Sequence, residues 1–190
     1  MRTLPFRFGS RTGFIVRGQA VQTFLFIMVV GVGSTLALDL WGLIARKMGW
    51  LPGAHWPSVG RWLLGLPAGR FFFDGTNTAP NTTTESVLGW AFHYAVGLAY
   101  AAMLPLFWGA DFIRDPGLGP CLVIGLGVST VAGLGFFMPA MGGGLFARKT
   151  PSPPMTIAYV LVAHAVFALA QFALALALAL ALAFGVAAAM

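Results

Sequence analysis

Four stretches of the chain, about 22–45, 87–108, 118–138 and 155–184, are almost unbroken runs of apolar and small residues. Each matches or exceeds the roughly 20 residues that a helix needs to cross the hydrocarbon of a bilayer. The polar positions inside them are few: Asp39, His93, Ser129 with Thr130, and His164 with Gln171. Strands of a membrane barrel would alternate apolar and polar residues over about ten positions. The one alternating run, Ala173 to Ala183, is apolar in both phases, so it reads as a Leu/Ala-rich helix. The pattern therefore predicts an all-α polytopic membrane protein, with four transmembrane helices in an antiparallel bundle and a long loop, 46–86, between the first two.

Local signals support these boundaries. Thr82 and Glu85 have capping-box spacing at the entry of the second helix. Asp115 before Pro116, and Ser152 before Pro153 and Pro154, read as N-caps of the third and fourth. The short link between the second and third helices makes them antiparallel neighbours. The expected organisation is a basic amino-terminal arm over 1–21 and one membrane domain over 22–186. The loop 46–86 mixes aromatic residues with Arg61 and Arg70, which suits an interfacial anchor or a lid over the bundle mouth.

Composition agrees with this pattern. Of 190 residues, 58% are hydrophobic and 8% charged, with a mean hydropathy of +0.85, more apolar surface than one soluble core could hide. The net charge of +6 would suit nucleic acid in a soluble protein. Here the basic residues flank the apolar runs, so lipid headgroups are the expected contact and nucleic acid is not. Arg2, Arg7, Arg11, Arg17 and Arg114 fall on one side of the predicted bundle; Arg46, Lys47, Arg61, Arg70, Arg148 and Lys149 fall on the other. That near balance leaves the orientation open under the positive-inside rule. A lone Cys121 excludes an intrachain disulfide and a cysteine-built metal centre.

Helical period and depth bring the polar residues together. Gly31, Thr35 and Asp39 share one face of the first helix, Gly89, His93 and Gly97 one face of the second, and Gly125, Ser129 and Gly133 one face of the third. Small residues at such spacing let membrane helices approach closely. At a rise of about 1.5 Å per residue, Asp39, His93 and His164 lie roughly 9 to 14 Å from the same membrane face. Arg61, Arg70 and Glu85 belong to the loop on that side. These six residues form the candidate ligand or proton pathway, and a structural Asp–His contact is the simpler alternative. A haem or metal held by His93 and His164 is a minor alternative, since none of the usual ligand spacings is present. No cofactor is expected. The turn Gly142-Gly143-Gly144 before Arg148 and Lys149 reads first as a chain reversal and second as a set of amides for an anion.

Several of these segments also carry a family resemblance. Gly31-Val32-Gly33-Ser34-Thr35 with Asp39-Leu40-Trp41, Gly60-Arg61-Trp62, Gly69-Arg70-Phe71, Glu85 with Gly89-Trp90 and His93-Tyr94, Met138-Pro139-Ala140-Met141-Gly142 with Thr150-Pro151, and His164 follow in order. Over roughly 30–171 the chain resembles the bacterial membrane family labelled domain of unknown function 2938. The resemblance implies a four-helix protein of the bacterial inner membrane and brings no activity. One departure is the lack of a glutamine in Phe137-Met138-Pro139, where the family pattern leads one to expect it.

The leading expectation is a multi-pass membrane protein that transports or recognises a small anionic or lipid-like ligand through its Asp/His cluster. Four helices are few for a complete transporter, so a homo-oligomer or larger complex is expected. A structural accessory subunit is the alternative from another class. An enzyme ranks last, because no nucleophile and base pair can be named.

Overall fold

The computed structural model describes residues 10–51 and 53–188, and the side chains of 18–51 and 53–185. The described chain is all helical, without a strand. Its main elements are α1 (Ser10–Lys47), α2 (Trp56–Gly65), α3 (Thr83–Trp108), α4 (Leu118–Ala140) and α5 (Pro153–Ala188). Four helices, α1, α3, α4 and α5, are long and apolar enough to cross a membrane. The first begins well before the expected residue 22, at Ser10. Residues 1–9 of the proposed basic arm, and the side chains of Arg2, Arg7, Arg11 and Arg17, lie outside the described residues.

Helix entry follows the capping rules at α3. Thr82 Oγ1 accepts from Glu85 N at 3.2 Å and Glu85 Oε2 accepts from Thr82 N at 2.8 Å, so two otherwise orphaned amides are satisfied reciprocally. The expected Asp115 cap is not made: α4 starts at Leu118 after Gly117, without a side-chain cap. Within α4 the backbone widens to π-helical geometry over Val123–Val128 and again over Gly133–Phe137. Gly125, Gly127, Gly133 and Gly135 lie in these stretches, where low helix propensity weakens the regular ladder.

The direction of the helices follows from their contacts. A Cβ on Gly31 of α1 would sit 2.8 Å from Leu98 Cα of α3, and one on Gly97 would strike Thr35 Oγ1. Farther along α1, Asp39 meets His93. Positions rise on one helix as they fall on the other, so α1 and α3 are antiparallel. By the same reasoning Gly33 against Leu174 and Gly42 against Tyr159 make α1 and α5 antiparallel. Gly125 against Ala168 and Gly133 against His164 do so for α4 and α5. One end of this assembly is a core built around Phe26, Val30, Leu104, Ile113, Cys121 and Ile124.

The segment expected as a loop, 46–86, contains α2. Pro57 near its start suits a first helical turn, where the missing N–H costs nothing. The helix lies on α3 at a crossing of two glycines: a Cβ on Gly60 would overlap the Glu85 carbonyl, and one on Gly89 would overlap the Trp56 carbonyl. Gly89 thus serves contact with α2, not with another spanning helix. Adding a methyl here must push the two backbones apart. Gly89→Ala is expected to lower the thermal unfolding midpoint in detergent by the equivalent of about 1–3 kcal/mol, the usual cost of overpacking. Gly135→Ala, whose added Cβ meets nothing within 4 Å, should leave the midpoint close to wild type; equal effects of the two would remove the close crossing as the cause.

Candidate functional site

A carboxylate within a long apolar helix must find polar partners in protein, because lipid supplies none. Asp39 of α1 finds two, both on α3. His93 Nε2–H donates to Asp39 Oδ1 at 2.8 Å and the Tyr94 hydroxyl donates to Oδ2 at 2.9 Å. With Asp39 ionised, and so able only to accept, the His93 proton is on Nε2. The His93 side chain is 6% exposed and that of Asp39 is 25% exposed. The acid is therefore more open than His93, and Tyr94 is likewise half-buried.

The other surroundings of His93 are aromatic. Trp56, from the first turn of α2, stacks on the imidazole with ring centroids 4.0 Å apart and planes at 21°. Trp90 and Tyr94 approach it edge-on. Phe137 of α4 touches both Trp56 and Trp62, closing the aromatic cover from another side. Aromatic pairs favour such offset and edge contacts, so they hold the ring without competing for its nitrogens. Tyr94 and Trp56 were not among the expected site residues. Tyr94 was legible as the neighbour of His93; the role of Trp56 needed the position of α2.

Arg61 and Glu85 are brought together a short way off, in a contact that ties the cover down. Arg61 Nε donates to Glu85 Oε1 at 2.8 Å and Nη2 to Oε2 at 3.1 Å, the two-pronged match of guanidinium and carboxylate. The remaining donors reach the Asn77, Ala79 and Pro80 carbonyls. Glu85 in turn accepts from Asn81 Nδ2 and the Thr82 amide. Hydrogen bonding to Glu85 raises the Arg61 pKa further above its ordinary value. With its donors spent inside the protein, Arg61 is a clamp between α2, the following loop and the start of α3.

Arg70 is exposed and stands outside this network. It lines a cleft of about 190 Å³ with Arg61, Trp62, Asp74 and Glu85. Its backbone amide bonds the Gly65 carbonyl, and the Phe73 amide reaches the Ala140 carbonyl at the end of α4. Asp74 Oδ1 accepts from the Thr76 hydroxyl at 2.6 Å and the Thr76 amide at 2.9 Å. Those bonds, with a smaller contribution from Arg70, hold the Asp74 carboxyl below its ordinary pKa.

His164 occupies a different place. Its level is that of Asp39: on α5 it falls between Tyr159 and Leu174, which meet Gly42 and Gly33 on either side of Asp39. Its ring points to α4, where Nδ1 and Thr130 Oγ1 share a hydrogen bond of 3.0 Å and Gly133 leaves room for it. His164 makes no hydrogen bond with Asp39 or His93 among the described residues, so the three do not join in one cluster. Gln171 lies farther along α5, fully buried against Gly125, with neither amide atom partnered. The minor haem or metal alternative gains no support from this geometry, because His93 Nε2 lies against Asp39 and His164 turns to Thr130. Among the described residues no group of three or more His, Cys, Asp or Glu side chains could hold a metal ion.

The fold and site define a class: an all-helical protein with four helices apolar enough to span a membrane and an acid–imidazole–phenol group bonded between two of them. The chain belongs to the family described as protein of unknown function (DUF2938), which it matches over residues 28–178. No curated protein and no solved structure matches it.

The clamp and the acidic turn behave differently when perturbed. Arg61→Ala frees Glu85 and three carbonyls, so amide hydrogen exchange over 76–86 should accelerate at least several-fold while exchange in α5 stays unchanged. Unchanged exchange over 76–86 would contradict the clamp. Because the folded Asp74 pKa is depressed, its contribution to the 74–76 turn is present above the unfolded carboxyl range and is lost as pH falls through the folded value. Acidification from neutral pH toward that range should loosen this turn in wild type, and Asp74→Asn should remove that pH dependence.

Proposed function

We infer that this protein works in the bacterial inner membrane as a small transport or ligand-recognition component, with Asp39, His93 and Tyr94 as its polar centre and α2 as the cover. The observation that carries the reading is the Asp39 carboxylate, bonded by His93 and Tyr94 yet still a quarter exposed, directly beside an imidazole stacked beneath Trp56. A carboxylate and an imidazole in contact can pass or hold a proton, and a partly open acid at such a point can meet a solute or a proton. Structural glue alone would need no open face. Arg70, in the cleft beside Asp74, suits an approach site for an anionic group on that side. His164 with Thr130 forms a separate polar contact and is not assigned to the same step.

A second reading, as a structural subunit of a larger membrane complex, has support from the outer face of α4. Gly127 opens a shallow apolar depression there between Val123, Val131 and Phe136. Co-purification of a stoichiometric partner in mild detergent would favour it.

The test of the first reading compares wild type with Asp39→Asn, His93→Gln and Tyr94→Phe. Each is purified in mild detergent, screened by thermal shift against small carboxylates, phosphates and lipids, and reconstituted in vesicles carrying a pH-sensitive dye. The expected result is a ligand shift or proton flux that falls at least tenfold in the Asp39 and His93 variants at an unchanged unfolding midpoint. Variants that keep the response would sink the proposal. Loss of the response together with a collapsed midpoint would assign the group to packing.

A further inference from the structure

We propose that the turn between α4 and α5 is a binding site for the headgroup of an anionic phospholipid, with Arg148 and Lys149 as its cations. This surface is separate from the Asp39 centre and does not depend on its function. The stems of both residues cross Gly144: a Cβ built there would lie 3.1 Å from Arg148 Cγ and 2.8 Å from Lys149 Cγ. Both side chains are exposed and start side by side. Like charges held together in this way repel unless an anion lies between them.

No side-chain carboxylate among the described residues serves as that anion. The sequence has five acidic residues. Asp39 is engaged by His93 and Tyr94, Glu85 by Arg61, and Asp74 by Thr76. Asp111 and Asp115 lie in the link from α3 to α4, at the opposite end of α4. Among the described residues neither Arg148 nor Lys149 takes part in an ion pair. The charge is left for something outside the chain.

The backbone of the turn is largely satisfied within itself. The Gly142, Gly143, Ala147, Arg148, Lys149 and Thr150 amides are all spent on carbonyls of the turn or of α4. The amides of Gly144, Leu145 and Phe146 have no such acceptor among the described residues. Phe146, at φ 49° and ψ 45°, and Ala147, at φ 60°, lie in the left-handed region without being glycine.

The neighbouring side chains favour lipid as the source of the phosphate. Strain of this kind persists where the surroundings enforce it, yet Phe146 is 53% exposed and Leu145 is 41% exposed. Their apolar surface faces outward beside the two cations, at the end of a helix long enough to span a membrane. A diacyl phosphate satisfies both halves: its oxygens face Arg148 and Lys149, and its acyl region covers Leu145 and Phe146. A free phosphate would satisfy only the first.

Native mass spectrometry of the full-length protein in mild detergent, titrated with phosphatidylglycerol or phosphatidylcholine, tests this. Wild type should take up phosphatidylglycerol at least tenfold more tightly, as expected from about two basic residues acting on one anionic lipid. Arg148→Gln with Lys149→Gln should abolish that preference, whereas Arg46→Gln with Lys47→Gln on the same side should keep it. Gly144→Ala leaves the charge unchanged but displaces both stems, and should weaken the preference several-fold; its unfolding midpoint confirms that it is folded. A preference that survives the Arg148/Lys149 changes, or that Gly144→Ala leaves at its wild-type size, overturns the proposal. So does equal loss in the Arg46/Lys47 variant, which would mean diffuse surface charge. Displacement of the lipid by millimolar inorganic phosphate would assign the site to free phosphate and overturn the lipid assignment.

Discussion

The contact of α2 with α3 at Gly60 and Gly89 governs most of what surrounds the polar centre. Without side chains at either position, one backbone comes within van der Waals reach of the other, and a ten-residue helix is held against a spanning one. That register puts Trp56 over the His93 ring and Arg61 beside Glu85. The ion pair then fixes the loop up to Pro80 through three carbonyls. A short helix of this length has little stability by itself, so its fold and its function as a cover both depend on this seam.

Two kinds of polar residue result. Arg61, Glu85, Thr82 and Asn81 satisfy one another and build the entrance to α3. Asp39, His93 and Tyr94 are also satisfied, but they sit between two apolar helices, with the acid left partly open. The contrast separates groups that close a structure from a group whose acid stays partly open. Along α4 and α5 a third set, Thr130 with His164 and the unpartnered Gln171 amide, lines a separate seam.

Much of the architecture is legible from hydropathy and capping. Apolar run length gives the four spanning helices, and the Thr82–Glu85 spacing gives the start of α3 within a few residues. Small residues at helical spacing place Gly31, Thr35 and Gly97 at one contact and Gly125 and Gly133 at another. Less was legible where two elements distant in sequence meet. Periodicity could put His164 at the depth of Asp39, but it could not tell which neighbour α5 presents it to. Asp115 next to Pro116 resembled a cap, yet the chain turns into α4 only after Gly117.

Hydrophobic run length, helical period and the cost of an acid in lipid are local properties of the chain. They are enough to establish a helical bundle with Asp39 and His93 turned toward protein. The partner choices depend on azimuth and on contacts far apart in sequence. Those include Trp56 on His93, Tyr94 on Asp39, Arg61 spent on Glu85, and His164 directed to Thr130. Each is decided by how close two backbones can come; glycines set that distance, on both helices where α1 and α2 meet α3 and on α4 alone where it meets α5.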